Sequence, residues 1–266
     1  MRETMLLECS TVHEYDFGKF KEYVIYDDVD YWNSEGVYKR SSGRVGKKAD
    51  EVTKRDRGIA ISRAKKTLRR IALHNKMSRL MTLTTQENIS DFEKLDKLFK
   101  KFVFNLRSKY PDFKYIGTRE RQSRGAVHYH ILYNRFIPWK EAIAIWQELI
   151  KGKGTVNLEK IDGLKAINYV LEYVGKSMKN PFVTKKGFNA KSYLCSTNLD
   201  RNYKMSRSVK KFYVQMVQEY HALQNYLKNL EKQIKDKATK VIFDKVFQFD
   251  YQGDIKFGRS ILIQTG

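Results

Sequence analysis

Several things are scarce in this sequence, and each absence excludes a class of protein. Of 266 residues only two are cysteine, Cys9 and Cys195, and no CxxC pair occurs. That removes a zinc ribbon and a disulfide framework, and it suits reduced thiols in a cytoplasmic protein. No apolar run approaches the roughly 20 residues that span a bilayer. The opening MRETMLLECSTVHEYDFGKF lacks a long apolar stretch and does not form a convincing signal peptide. Internal repeats and low-complexity segments are missing. So is a phosphate loop: Gly175-Lys176-Ser177 resembles the end of a Walker A motif, but the earlier glycine would fall on Val170, which excludes an ATPase or helicase. Acidic residues are also in deficit. Fifty-two Lys and Arg face 30 Asp and Glu, for a net charge of +22.

That excess of positive charge favours polyanions, above all a phosphate backbone. An apolar fraction of 41% with 13% aromatics is enough to build a core, so wholesale disorder is not expected.

The chain divides by pattern. Residues 1–58 are rich in Tyr, Asp, Lys and Ser and read as a basic N-terminal extension, partly flexible. From Ile59 to His74 the spacing of Ile61, Leu68, Ile71 and Ala72 predicts a helix, with Arg63, Lys65, Lys66, Arg69 and Arg70 around the rest of it. Those basic residues suit either a solvated face or phosphate contacts. Arg79 to Thr85 reads as a buried strand. Ser90 and Asp91 offer an N-cap to an amphipathic helix reaching about Arg107, with Phe92, Leu95, Leu98, Phe99, Phe102, Val103 and Leu106 as core. Two strands, Lys114–Gln122 and Ala126–Tyr133, follow around a tight turn. Pro138 then opens a helix, Thr155 to Lys160 alternates as a strand, and Leu164 to Met178 is a helix again. The order predicts an α+β fold, a central antiparallel β-sheet with flanking helices, over residues 59–200. Residues 201–266 read as a C-terminal helix and strand extension packed on that core: a long helix from Ser208 to about Lys237, then a hairpin of Val241–Phe249 and Lys256–Gln264.

The chemistry concentrates in Arg119-Glu-Arg-Gln-Ser-Arg-Gly-Ala-Val-His-Tyr-His130. Residues two apart on a strand face the same way, so His128 and His130 project together and Tyr129 opposes them. A three-residue loop, Ser123 to Gly125, pairs Gln122 with Ala126 and needs Gly125 in the left-handed conformation. That register sets Glu120 opposite His128. Two imidazoles and a carboxylate on one face form a candidate site for a divalent metal ion, Mg²⁺ or Mn²⁺. The chain has only five histidines, which makes this placement the more notable.

A second constellation lies on the later helix, where Tyr169, Tyr173 and Lys176 share a face. Tyrosines on a helix often only pack. A phenol with a pKa near 10 needs help to attack phosphorus, which a metal on the phosphate and a lysine nearby would give.

With these residues in place, the sequence resembles rolling-circle replication initiators of the HUH endonuclease superfamily, found in plasmids and small single-stranded DNA phages. Thr82-Leu83-Thr84 matches the first motif, His128-Tyr129-His130 the second, and Tyr173-Val-Gly-Lys176 the third. Glu120 matches the upstream acidic ligand, and Tyr169 the second tyrosine of the two-tyrosine branch. The resemblance spans roughly residues 59 to 179. One departure concerns the residue before the second tyrosine, often Lys in that branch and here Glu172, which makes Tyr173 the favoured nucleophile. The resemblance implies an HUH endonuclease domain with a ferredoxin- or RRM-like core, and a site-specific single-stranded DNA endonuclease and strand transferase. It would bind origin DNA, nick one strand through a 5′-phosphotyrosine link, leave a 3′-hydroxyl for synthesis, and rejoin strands later. Host helicase and polymerase would be its partners. Arg119, Arg121, Arg124 and Lys179 are expected to contact DNA. A transposase or relaxase of the same chemistry is the alternative, although relaxases usually carry their tyrosine before the histidines. A non-catalytic basic nucleic-acid-binding module is the other.

Overall fold

The computed structural model describes residues 7–27, 30–31, 54–87, 89, 91–123, 125–160, 163–185, 189–203, 207–214, 217–251 and 254–265. These fall in two compact units, one from Val52 to Asn202 and one formed by Met1–Glu51 together with Tyr203–Gly266.

The first unit is an α+β fold on a five-stranded antiparallel sheet. Its elements are, in order, α1 (Lys54–His74), β4 (Arg79–Thr85), α2 (Phe92–Lys109), β5 (Tyr115–Arg121), β6 (Val127–Tyr133), α3 (Trp139–Leu149), β7 (Gly154–Lys160), α4 (Gly163–Lys179) and β8 (Leu194–Cys195). Three earlier strands belong to the other unit and precede these in the chain. The sheet runs β7-β4-β6-β5-β8. α2 begins where the sequence places it, and Asp91 is its cap, its side chain accepting from the amides of Glu93 and Lys94 at 3.0 and 3.1 Å. Ser90, the other cap candidate, lies outside the described residues. Phe92, Leu95, Phe99, Phe102 and Leu106 are buried, while Leu98 and Val103 pack partly buried against them.

Strand parity then sorts the sheet into two faces. Met81, Leu83, Val127, Tyr129, Ile131 and Val156 join the cluster under α2 and α3. Phe99 stacks on Tyr129 with ring centroids 4.6 Å apart, and Trp146 of α3 meets Phe102 edge-on. On the alternate positions Leu80, Ile116 and Leu132 are buried, but further along the same face Thr82, His128, His130 and Glu120 replace them. α4 packs against β5, β6 and β4, and α1 packs on α4. One face is therefore wholly core, and the other changes from apolar to polar along the strands.

The second unit holds β1 (Leu7–Asp16), β2 (Phe20–Asp27), β3 (Asp30–Tyr31), β9 (Arg207–Val214), α5 (Val217–Asp236), β10 (Lys240–Tyr251) and β11 (Asp254–Gln264). Its antiparallel sheet runs β10-β11-β2-β1-β3, with β9 also paired to β1. Two sequence expectations are corrected here. Part of the N-terminal segment read as an extension is strand, because β1 and β2 find partners in β9 and β11, far away in sequence. The helix expected from Ser208 begins only at Val217. Its first part, rich in Val209, Phe212, Tyr213 and Val214, suits a pleated surface once β1 lies beside it. The expected closing hairpin is present as β10 and β11. A network of Lys235 and Glu231 on α5 with Asp244 and Arg259 ties the helix to that hairpin. No helix among the described residues is long and apolar enough to cross a membrane.

Candidate active site

The β5–β6 hairpin has the register expected of its sequence. Gln122 and Ala126 close the turn through a 2.9 Å bond, Gly125 has φ +88°, and Glu120 pairs with His128. A side chain at Gly125 would be strained, which is why glycine serves there. Tyr129, between the two histidines, points into the core, where its hydroxyl donates to Asp96 at 2.5 Å. Burial first, then the Asp96 carboxylate, raises that phenol well above its ordinary value, so it stays a donor. The middle residue of the His-Tyr-His run thus pins the hairpin to α2.

His130 is the centre of the polar face. Its Nε2 lies 2.7 Å from Glu120 Oε2, and its Nδ1 lies 3.4 Å from the Thr82 hydroxyl. Burial lowers the imidazole pKa, an effect partly offset by Glu120. A neutral ring follows, donating from Nε2 to the carboxylate and accepting at Nδ1. From α4, Tyr173 stacks on His130 with centroids 4.0 Å apart and planes 23° apart, and Tyr169 meets the same imidazole edge-on at 5.6 Å. The Tyr169 hydroxyl donates to the Tyr173 hydroxyl at 3.3 Å. Partial burial, and next that bond, push the Tyr169 phenol up. Lys176 Nζ sits 4.4 Å from the Tyr173 ring centre. Acid, imidazole, two phenols and an ammonium thus meet where α4 crosses the polar end of the sheet.

The donor chemistry, one carboxylate and imidazoles, suits a hard divalent ion. Glu120 and His130 stand a few tenths of an ångström closer than the roughly 3 Å between neighbouring ligands of an octahedral ion. His128 is buried on the same face, opposite Glu120. Among the described residues, however, no three His, Cys, Asp or Glu side chains are grouped to hold an ion as they stand. The pair Glu120–His130 is assembled, and the ring of His128 does not join it.

The basic residues expected on DNA separate. Arg119 is 4% exposed. Its guanidinium is spent on Asp96, 2.7 Å from Nε, and on the Lys191 carbonyl at 2.8 Å. A phosphate would have to break that buried pair, so Arg119 is a structural residue and leaves the set of DNA contacts. Arg121 is exposed, its guanidinium 4.9 Å above the Phe182 ring, and Lys179 is exposed at the end of α4. Arg124 lies outside the described residues. In front of the site opens a cleft of about 360 Å³, lined by Glu120, Arg121, Tyr173, Lys176, Ser177 and Phe182 among others.

Residues 78–178 match the ORF2 family of replication-associated proteins. The match runs from just before β4 almost to the end of α4, and so takes in Thr82, Glu120, both histidines, both tyrosines and Lys176. It covers less than half of the chain, and it carries a replication-associated role for that segment. Neither a curated protein nor a solved structure gives a match.

Glu172 and Gly175 carry contacts that a reading of the sequence does not find. Glu172, off the tyrosine face, pairs with Lys65 of α1 at 2.8 Å. A Cβ on Gly175 would stand 2.7 Å from Lys65 Cε, so the glycine between Tyr173 and Lys176 also lets α1 approach. No local spacing signals either contact, because each crosses more than a hundred residues.

Proposed function

We propose that this chain is a replication initiator that nicks single-stranded DNA with Tyr173, assisted by a divalent metal ion held by Glu120, His128 and His130. The observation that carries the reading is the stacking of Tyr173 on His130 while the same imidazole meets Glu120. It puts a nucleophile's ring directly against a candidate metal ligand. A bound Mg²⁺ or Mn²⁺ supplies Lewis-acid polarisation of the scissile phosphate.

The chain's residues supply the rest. The Tyr169 hydroxyl donates to Tyr173 and so favours charge on the Tyr173 oxygen. Tyr169 itself is held protonated, which suits support rather than first attack. Lys176 places positive charge beside the same phenol and within reach of a phosphate in the cleft. When His130 gives its Nε2 lone pair to an ion, its proton moves to Nδ1, where the Thr82 hydroxyl can accept it. Attack by the Tyr173 oxygen breaks the bond to the 3′-oxygen, leaving a 5′-phosphotyrosine and a free 3′-hydroxyl. The phosphodiester energy is kept for rejoining. The +22 charge, with Arg121 and Lys179 exposed near the cleft, would hold the strand.

A binding module without catalysis is the second reading, and the lack of a third donor beside Glu120–His130 among the described residues favours it. The two separate on incubation with an origin-containing single-stranded oligonucleotide and Mg²⁺ or Mn²⁺. A denaturation-resistant protein–DNA band is expected, lost in Tyr173→Phe and on chelation. Wild-type protein that binds the strand and never forms the band sinks the nicking reading. Equal Mn²⁺ binding by wild type and His128→Ala/His130→Ala removes the metal site.

A further inference from the structure

We infer that the cleft beside Tyr173 takes one nucleotide of the bound strand, with the edge of its base on the Ser177 hydroxyl and its face against Arg121. The inference rests on the strand-nicking reading and adds to it a residue that reads a base.

The observation that starts the argument is an unfulfilled hydroxyl. Ser177 is 5% exposed, and its Oγ has no hydrogen-bond partner among the described residues. Buried hydroxyls nearly always find a partner, because leaving one without costs the solvation it gave up. A serine in the last turns of a helix can satisfy itself on the carbonyl four residues back, and this one does not. It lines the cleft instead, on the same helix as Tyr173 and Lys176.

The other walls say what kind of ligand would fill the gap. Arg121, at the end of β5, is exposed and lies flat enough over Phe182 to put its carbon 4.9 Å from the ring centre. Phe182 is itself buried and held by Phe92, 5.2 Å behind it. A guanidinium braced this way on one face has its other face available for a flat π-system, a use to which arginine is suited and lysine is not. Lys176 offers a point charge for a phosphate. A volume of about 360 Å³ is at the low end of ligand clefts, enough for a single small molecule. Planar face, polar edge and anionic group together describe a nucleotide. A serine hydroxyl both donates and accepts, so it tunes preference among bases rather than admitting only one.

Full-length protein, without metal, is titrated with dAMP, dGMP, dCMP, dTMP, deoxyribose 5-phosphate and inorganic phosphate by calorimetry. At least one nucleotide should bind about three- to tenfold tighter than deoxyribose 5-phosphate, the ratio one neutral hydrogen bond gives. Ser177→Ala should cancel its advantage over the other nucleotides and leave inorganic phosphate unchanged. Arg121→Lys should retain the phosphate affinity and lose most of what the bases add. Ser177→Ala should melt no lower than wild type, since it removes a hydroxyl that nothing satisfies. Nucleotides that bind no better than deoxyribose 5-phosphate overturn the inference, as does an unchanged ranking of the four in Ser177→Ala, or a lower melting temperature. The test needs no turnover. Ser177-dependent binding in a protein that forms no covalent band would sink the nicking reading alone, and a covalent band without base preference would sink only the cleft.

Discussion

Asp96→Asn is the substitution that most directly tests how the hairpin is held. Asp96 takes both sides of the Arg119 guanidinium and the Tyr129 hydroxyl. Replacing the carboxylate by an amide keeps the shape and removes the charge, leaving a 4%-exposed guanidinium with only the Lys191 carbonyl and a neutral oxygen. Breaking a buried pair from one side costs about 3–5 kcal/mol. Asp96 retains 19% exposure, so water repays part of the loss and the lower end, about 3 kcal/mol, applies. At roughly 2–4 °C per kcal/mol for a chain of this size, the melting temperature should fall by about 6–12 °C in a thermal scan. Removing both partners, as in Asp96→Leu/Arg119→Met, should recover much of that fall, because no charge is then stranded. A single variant that melts within about 2 °C of wild type would refute the reasoning, and so would a double variant no better than the single one.

Tyr169→Phe should still form the covalent band, slowed about two- to tenfold, the worth of one neutral hydrogen bond; loss of the band there with its retention in Tyr173→Phe would reverse the two roles. Thr82→Val removes the acceptor for His130 Nδ1 and should weaken Mn²⁺ binding by about tenfold in a titration. Gly154→Ala should fold poorly or melt far lower, because the new Cβ would stand 2.5 Å from the Thr84 carbonyl oxygen and 2.0 Å from Ile150 Cδ1. On acidification, the bond to Arg259 holds the Asp244 carboxyl below its ordinary value of 3.8. Its contribution is therefore full above that pH and lost as the pH falls through the lowered value, and Asp244→Asn should flatten this acid limb of stability.

Much of this is legible in the sequence wherever the information is local. Glycine in a three-residue turn fixes the register, the register fixes Glu120 opposite His128, and helical spacing puts Tyr169, Tyr173 and Lys176 on one face. The α+β order of the first unit follows from the same periodicities. Arg119 defeats a local reading because charge near a hairpin tip looks like a phosphate contact. It pairs with Tyr129 across the hairpin and shares that residue's face, which sends it inward to Asp96. The strand at Arg207–Val214 escapes because its partner is β1, at Leu7–Asp16, and its lysines suit a helix as well as an edge. The short β8, paired with β5, is too brief to carry a periodic signal. Nor does a sequence say that Ser177 lacks a bond, since that depends on what the rest of the fold fails to offer.

The strand pairs that join residues 7–27 to residues 207–264 set the order of events during synthesis. Everything between Val52 and Asn202 is made before β11 exists, so the sheet carrying the histidines can close while the ribosome is still at work. Strand β2 must wait for the arrival of Phe257–Gln264, and until then its edge is exposed to other chains. A stalled or truncated product would thus present a finished histidine-bearing half beside an unfinished sheet, and aggregation during expression should begin from the latter.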